Sequence, residues 1–224
     1  MAEVGEPTIV MGIRWSRYHL HAAKMFARKA AELEEARPEN GPFSFGHRAF
    51  VMNAITASVQ FAEAAMNEIV ELADDASDPA FSRLSRAARS GLPEIARLDR
   101  IIPEADKANL ILIAAGLTPL SRGINPLQDF SLVVKLRNAL IHSRPETRPV
   151  DDDDDATLGS LGKSLKAKGY PLNPRMKSGL MYPDQLLSAG CAEWALACTR
   201  ALIGELDRRL GVQRPEYVAA YVDG

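Results

Sequence analysis

The chain has 224 residues, of which 46% are hydrophobic and 25% are charged, which is the composition of a globular protein with a substantial core. Its formal net charge of −2 excludes the strongly basic surface of a general nucleic-acid-binding protein, so any such role rests on a local patch. The longest apolar run, LILIAAGL, is far shorter than the roughly 20 residues that a membrane-spanning helix needs.

Two long helices are predicted in the N-terminal third. Apolar residues recur at three- and four-residue intervals from Trp15 to Leu33, which predicts an amphipathic helix that ends before Pro38. A second, longer helix is predicted over about residues 43–74, and its alanines would let a neighbouring helix approach closely. Its apolar stripe comprises Val51, Ile55, Ser58, Ala62, Ala65, Met66, Ile69 and Ala73.

The rest of the chain predicts shorter elements and one more long helix. Short helices are expected near residues 83–89, 93–101 and 104–117, followed by a helix that Pro126 begins and Pro145 and Pro149 close. Residues 150–183 are predicted to be an acidic, loop-rich insertion with a possible short helix at 160–168. A last long helix is expected over about 184–210, with Gly211 as its C-cap and residues 211–224 as a peripheral tail.

The sequence therefore predicts an all-α fold, a bundle of four to five long antiparallel helices with short extra helices. We expect a single domain over residues 1–224, with its core in about 14–210. Cys191 and Cys198 lie two helical turns apart, roughly 10 Å, so they cannot form a disulfide and are predicted to be core residues. With no signal peptide recognised at the N-terminus, we expect a cytoplasmic protein without a metal, a cofactor or a membrane partner.

An arginine occupies an unusual position in the segment KLRNALIHSRPE. Arg137 falls at the centre of an apolar helix face, where a permanent charge is costly unless it is paired or faces a cavity. His142 follows near the expected helix end and points about 140° away from Arg137 on an ideal helix, whereas Asn138 shares its side. Arg137 and His142 can therefore meet only if the helix unwinds near Ser143–Pro145 or if a second copy of the chain supplies part of the site.

Arg137-Asn138-x-x-x-His142 in an all-α chain of this size resembles the Arg-x-x-x-x-His signature of the HEPN superfamily. Two helices extend the resemblance. The segment HRAFVMNAITASVQFAEAAMNEIVELA is similar to a helix of HEPN-type proteins, with Glu63 and Asn67 at the positions of their Glu-Ala-x-x-Asn run. The segment SAGCAEWALACTRALIGELDRRLG carries the alanine-tryptophan pattern of the same group.

The resemblance implies metal-independent cleavage of single-stranded RNA to a 2′,3′-cyclic phosphate, at a cleft between two protomers. His142 would then act as general acid or base, because histidine is the side chain best suited to proton transfer near neutral pH. Arg137 would bind the scissile phosphate and stabilise its growing charge, and Asn138 would orient His142 or a phosphate oxygen. The implied protein is a homodimer with RNA as partner, a toxin or defence protein with an antitoxin or regulatory protein as a further partner.

Glu63 and Asn67 are predicted to support this site. We expect a structural role for Glu63, as the carboxylate that neutralises Arg137, while Asn67 bonds a neighbouring backbone; bracketing the cleft is the alternative. Basic residues that would contact an RNA backbone are Arg144, Lys163, Lys166 and Lys168, and the arginines Arg83, Arg86 and Arg89 are further candidates.

Two further interpretations remain open at this point, one for an acidic run and one for the chain as a whole. The run Asp151–Asp155 is predicted to be a solvated linker rather than a cation site, although it could also mimic RNA phosphates and occupy the cleft as an internal brake. The whole chain could be a catalytically silent HEPN-like module that binds RNA or a protein partner. In that case Arg137 holds a carboxylate of a neighbouring helix, and His142 caps the end of its own.

Overall fold

The computed structural model describes residues 13–38, 44–75, 77–96, 102–142, 159–176 and 181–214. In these ranges the chain is all-helical and forms no strand, which confirms the predicted fold class. The helices are α1 (Trp15–Ala36), α2 (Phe45–Glu71), α3 (Arg86–Ala96), α4 (Glu104–Ala114), α5 (Leu127–Ile141), α6 (Gly159–Lys166) and α7 (Ala189–Leu210). A 3₁₀ turn spans Pro79–Phe81, and a π-type turn spans Met181–Gln185.

The central helix of the bundle is α2, which contacts α1, α3, α4, α5 and α7. Every residue of its predicted stripe is buried, so that prediction is confirmed. The one polar residue in the stripe, Ser58, satisfies its hydroxyl by donating to the carbonyl of Ala54 at 2.7 Å. The buried apolar side chains of the described residues form one continuous core around this helix.

The rotation of α1 differs from the expectation. Its buried side consists mainly of small residues, whereas Trp15, Tyr18 and Met25 of the predicted stripe are exposed. Polar contacts fix this rotation at both ends of the helix, because Ser16 donates to the carboxylate of Glu68 and Glu34 is bonded to the start of α2. Between these ends, small side chains let α1 lie close to α2. The buried residues are Ser16, Leu20, Ala23, Ala27, Ala30 and Glu34.

The segment between α2 and α5 forms fewer helices than predicted. One helix, α3, runs through Pro93 where two helices were expected, and the predicted residues 97–101 lie outside the described ranges. The helix α4 ends three residues earlier than predicted, because Gly116 adopts a left-handed φ of 73° and closes a Schellman-type cap. The two helices approach so closely that a Cβ at Gly91 would lie 2.1 Å from the carbonyl oxygen of Ala114.

The C-terminal elements agree with the sequence apart from one boundary. The short helix α6 is confirmed, and Gly211 caps α7 with a φ of 74° as predicted. The start of α7 lies at Ala189 rather than 184, because the side chain of Ser188 accepts the N–H of Cys191 at 3.0 Å and so caps the helix. Both cysteines are free and buried, and burial raises the pKa of each thiol to about 12.

Candidate functional site

The side chain of Arg137 lies between α5 and α4. It is 18% exposed, and its Nη2 donates to Oε1 of Glu104, the first residue of α4. A carboxylate in the first turn also interacts favourably with the helix dipole, so Glu104 is stabilised from two sides. The Nε of Arg137 is buried and has no hydrogen-bond partner among the described residues. The guanidinium is therefore anchored at one nitrogen and unsatisfied at another.

Asn138 and His142 lie on the outside of the same helix. His142 is the C-cap of α5, near the predicted helix end, and its backbone N–H donates to the carbonyl of Asn138 at 2.9 Å. Both side chains are exposed, and the imidazole makes no hydrogen bond with any residue that the structure describes. The neighbouring Ile141 is 50% exposed, so this helix end offers an imidazole, an amide and an apolar side chain to solvent.

Within one chain the structure brings Asn138 and His142 together, but it does not bring His142 to Arg137. The guanidinium is directed toward α4, whereas the imidazole is directed toward solvent. The regular helical geometry of α5 up to Ile141 keeps the two side chains on different sides. The possible unwinding at Ser143–Pro145 falls outside the described ranges. In the described part of one chain, Arg137 and His142 therefore do not form a common site.

Glu63 is not the partner of Arg137, and that prediction was wrong. Glu63 is exposed on α2, and Glu104 of α4 takes the role expected of it. Asn67 bonds a side chain rather than a backbone group, because its Oδ1 accepts from the buried Nζ of Lys107. The reason is the position of α4, which packs against both α2 and α5 and supplies the polar partners for each.

Sequence reasoning missed Glu104 and Lys107, although α4 carries a recognisable signal. The two residues are spaced i, i+3, so they share one side of the helix, next to the buried Ala108, Ile111 and Leu112. A charged pair flanking an apolar stripe indicates that the charges have partners on neighbouring helices. Through Glu104 and Lys107, the structure links Arg137 of α5 to Asn67 of α2.

The predicted RNA-contacting residues are dispersed. Lys168 forms an ion pair with Asp129 in the first turn of α5, about 20 Å along the helix from His142 at 1.5 Å per residue. Lys163 and Lys166 are exposed on α6. Arg144 lies outside the described ranges, as does the run Asp151–Asp155.

The three arginines near α3 also differ in their environments. Arg83 and Arg86 are exposed, as an RNA contact requires. Arg89 instead donates to the backbone carbonyls of Ala73 at 2.9 Å and Phe81 at 2.7 Å. Arg89 therefore links α3 to the turn after α2, and its role is structural.

Comparison with known proteins identifies no relative: no protein-family model matches the chain, and no curated protein or solved structure matches it. In the described ranges, no three His, Cys, Asp or Glu side chains are grouped so that they could hold a metal ion. None of the described helices is long and apolar enough to cross a membrane.

Proposed function

We propose that this chain is an RNA-cleaving module of the HEPN type whose active site is completed by a second copy of the chain. The observation that carries the proposal is the unsatisfied Nε of Arg137 on the helix that exposes Asn138 and His142 at its end. A buried donor without an acceptor costs about 1–3 kcal/mol, so we expect a bound ligand to supply an acceptor for the Nε of Arg137. A phosphate oxygen is a suitable acceptor, and Glu104 already holds the guanidinium in place.

The proposed reaction needs one proton transfer at each end of the phosphate. His142 accepts the proton of the ribose 2′-hydroxyl, and the 2′-oxygen bonds to phosphorus. The bond between phosphorus and the 5′-oxygen then breaks, and this oxygen takes up a proton from the imidazolium or from water. The products are a 2′,3′-cyclic phosphate and a 5′-hydroxyl. Arg137 stabilises the charge that grows on the phosphate, and Asn138 orients the imidazole or a phosphate oxygen.

The second copy solves the geometric problem of α5. A cleft that takes Arg137 from one chain and His142 from the other does not require one helix to aim both side chains at a point. The exposed Ile141 beside His142 supplies apolar area for such a contact at the same helix end. A toxin or defence role, restrained by an antitoxin or another regulatory protein, would fit this activity.

A cleavage assay tests the proposal directly. We expect the wild-type protein to cut a labelled single-stranded RNA in the presence of EDTA, and mass spectrometry to find a cyclic phosphate on the product. His142→Ala and Arg137→Ala should each abolish cleavage. Gln128→Ala, at the other end of α5 and exposed like His142, is the matched control and should cut normally. Cleavage that is undiminished in His142→Ala would contradict the mechanism.

Mixing the two inactive variants tests whether the site is shared. A heterodimer of Arg137→Ala and His142→Ala retains one complete pair, with the arginine of one chain and the histidine of the other. We therefore expect the mixture to recover part of the wild-type rate. Ile141→Glu should prevent pairing and should be inactive and monomeric by analytical ultracentrifugation. A mixture that stays inactive would contradict the shared site.

A second candidate function is a catalytically silent HEPN-like module that binds RNA or a protein partner. The ion pair between Arg137 and Glu104 favours it, because this pair accounts for an arginine in the apolar stripe without any ligand. This candidate expects RNA to stay intact while Arg137→Ala lowers the melting temperature. Because loss of the ion pair with Glu104 lowers stability in either case, the RNA gel is the measurement that separates the two candidates.

A further inference from the structure

The N-terminal part of α1 concentrates positive charge. Residues 14–31 contain five arginines and lysines, two histidines and no acidic residue, in a chain whose net charge is −2. Within this stretch Arg14 pairs with Asp78 and Lys29 pairs with Glu32. The excess of cations over acids makes the stretch a local basic patch.

The same part of α1 exposes aromatic rings. Trp15 is 60% exposed and Tyr18 is 63% exposed, and their ring centroids lie 5.7 Å apart. Met25 continues this apolar row along the helix and is also exposed. Ser16 is buried and donates two hydrogen bonds to Glu68. These bonds fix the rotation of α1, and in this rotation the two rings face outward. Large apolar side chains grouped on a surface usually mark a binding site.

The cations lie beside this aromatic row. Arg17 and Arg28 are exposed on α1, and Lys24 lies near Arg200 of α7. Burial and the charge of Arg200 both lower the pKa of Lys24. Among the residues that the structure describes, neither Lys24 nor Arg200 forms an ion pair with a carboxylate. In the described part of the chain, two like charges thus lie near each other and neither is ion-paired with a carboxylate, an arrangement that an anionic ligand would stabilise.

We infer that single-stranded nucleic acid binds to an α1 platform, which consists of Trp15, Arg17, Tyr18, Lys24 and Arg28 together with Arg200 of α7. The rings stack on unpaired bases, and the cations contact the phosphates. Stacking requires bases whose faces are free, so a single strand fits this surface and a duplex does not. About 20 Å of helix separates Trp15 from Arg28, enough to follow a short stretch of backbone. The inference stands whether or not the end of α5 cleaves RNA.

Fluorescence anisotropy with an uncleavable probe tests the platform. The probe is a labelled single-stranded 12-mer of mixed sequence with 2′-O-methyl riboses, which lack the hydroxyl that a nuclease of this type needs. We expect Trp15→Ala and Tyr18→Ala each to weaken binding by about tenfold, as the loss of one base stack does. Arg28→Gln and Arg200→Gln should each reduce the slope of log affinity against log salt by about 0.7, the value for one phosphate contact.

Controls make the result specific to α1. Phe45→Ala removes an aromatic ring that is 83% exposed at the start of α2, next to the other end of α1, and should leave binding unchanged. A duplex of the same sequence should bind at least tenfold more weakly than the single strand. Circular dichroism should show wild-type helix content for every variant, since the altered side chains are exposed.

Equal binding by wild type, Trp15→Ala and Arg28→Gln would overturn the inference. A change of oligomeric mass in Trp15→Ala without a change in binding would overturn it too, because the rings would then contact protein.

The outcome is separable from that of the proposed function. Gln128→Ala, exposed on α5 and outside both proposed sites, should bind the probe as tightly as wild type, whereas Trp15→Ala should raise the KM for unmodified RNA more than it lowers kcat. Probe binding that depends on Trp15, in a protein that never cleaves RNA, would refute the nuclease and leave the platform intact. Cleavage that depends on His142 but is indifferent to Trp15 and Arg28 would refute the platform alone.

Discussion

Two histidines mark two different kinds of helix end. His47, in the first turn of α2, is buried, and its Nε2 lies 2.9 Å from Oε2 of Glu34 on α1. The same oxygen accepts the first N–H of α7, from Ala189, at 2.9 Å. Arg175 donates to the carbonyls of Glu34 at 3.3 Å and Glu35 at 2.9 Å and so satisfies the end of α1. One carboxylate thus joins three helices, and we call these residues the Glu34 cluster.

The end of α5 differs from the Glu34 cluster, because its polar side chains are not fully paired. His142 and Asn138 are exposed and bond each other only through the backbone, and Arg137 keeps one buried nitrogen without a partner. Polar groups that are fully paired inside a protein support the fold, whereas polar groups left open at its surface are free to bind a ligand. We therefore expect the Glu34 cluster to support stability, whereas the proposed function places ligand binding at the α5 end. The predictions below test that division.

Glu34→Ala should have the largest effect on stability. It removes the acceptor of both the His47 imidazole and the Ala189 N–H inside the protein, and losing one partner of such a buried pair costs roughly 3 kcal/mol. Urea unfolding measures the loss. The exposed Glu32→Ala, half a turn earlier, should change the free energy of unfolding far less, because solvent screens its ion pair. A loss as small in Glu34→Ala would mean that the cluster does not support the fold.

Arg137→Ala should be destabilising by a smaller amount, about 1–2 kcal/mol, because its ion pair with Glu104 is partly exposed at 18% and 24%. Part of the loss comes from the aliphatic stem, because the whole side chain is only 18% exposed. Combining Arg137→Ala with Glu104→Ala in a double-mutant cycle isolates the pair itself. A coupling energy below about 0.3 kcal/mol would show that the pair contributes nothing to the fold and would weaken the silent-module candidate.

The sequence predicted periodic features well and partners poorly. The stripe of α2 could be read because that helix is apolar on nearly every side, so its periodicity and its burial agree. In α1 they disagree, since a stripe of alanines between Ser16 and Glu34 faces the core and Trp15 does not. Periodicity records which residues share a side. It does not record which side a polar contact turns inward.

The candidate site shows the same limit. The positions of Arg137 at mid-stripe and His142 at the helix end followed from spacing along one helix. Glu104 as the partner of Arg137 could not follow, because the choice between carboxylates depends on where α4 packs. The Glu34 cluster was missed for the same reason, since it joins residues more than a hundred positions apart.

Glu205 on α7 is intermediate between the Glu34 cluster and the end of α5, because it is paired with arginines but lies at the surface. Hydrogen bonds from Arg208 and Arg209 lower its pKa to about 2. A carboxyl with a lowered folded-state pKa stabilises the fold above its ordinary pKa of 4.5 and loses this contribution as the pH falls toward 2. Because solvent screens the pair, we expect only about 0.5–1 kcal/mol. Unfolding midpoints of wild type and Glu205→Gln should differ at pH 6 and converge near pH 2. The control Glu193→Gln, exposed on the same helix, should show no such convergence.

His142→Ala should have the smallest effect on stability, within about 0.5 kcal/mol of wild type. The imidazole is exposed, and the backbone N–H that caps α5 is kept by alanine. His47→Ala, compared under the same conditions, should lose about 2–3 kcal/mol, because it empties a buried position and leaves Glu34 with one partner fewer. If His142 is dispensable for folding and indispensable for cleavage, its role is chemical. If His142→Ala instead destabilises the protein as much as His47→Ala does, the two helix ends do the same work, and the division between them fails.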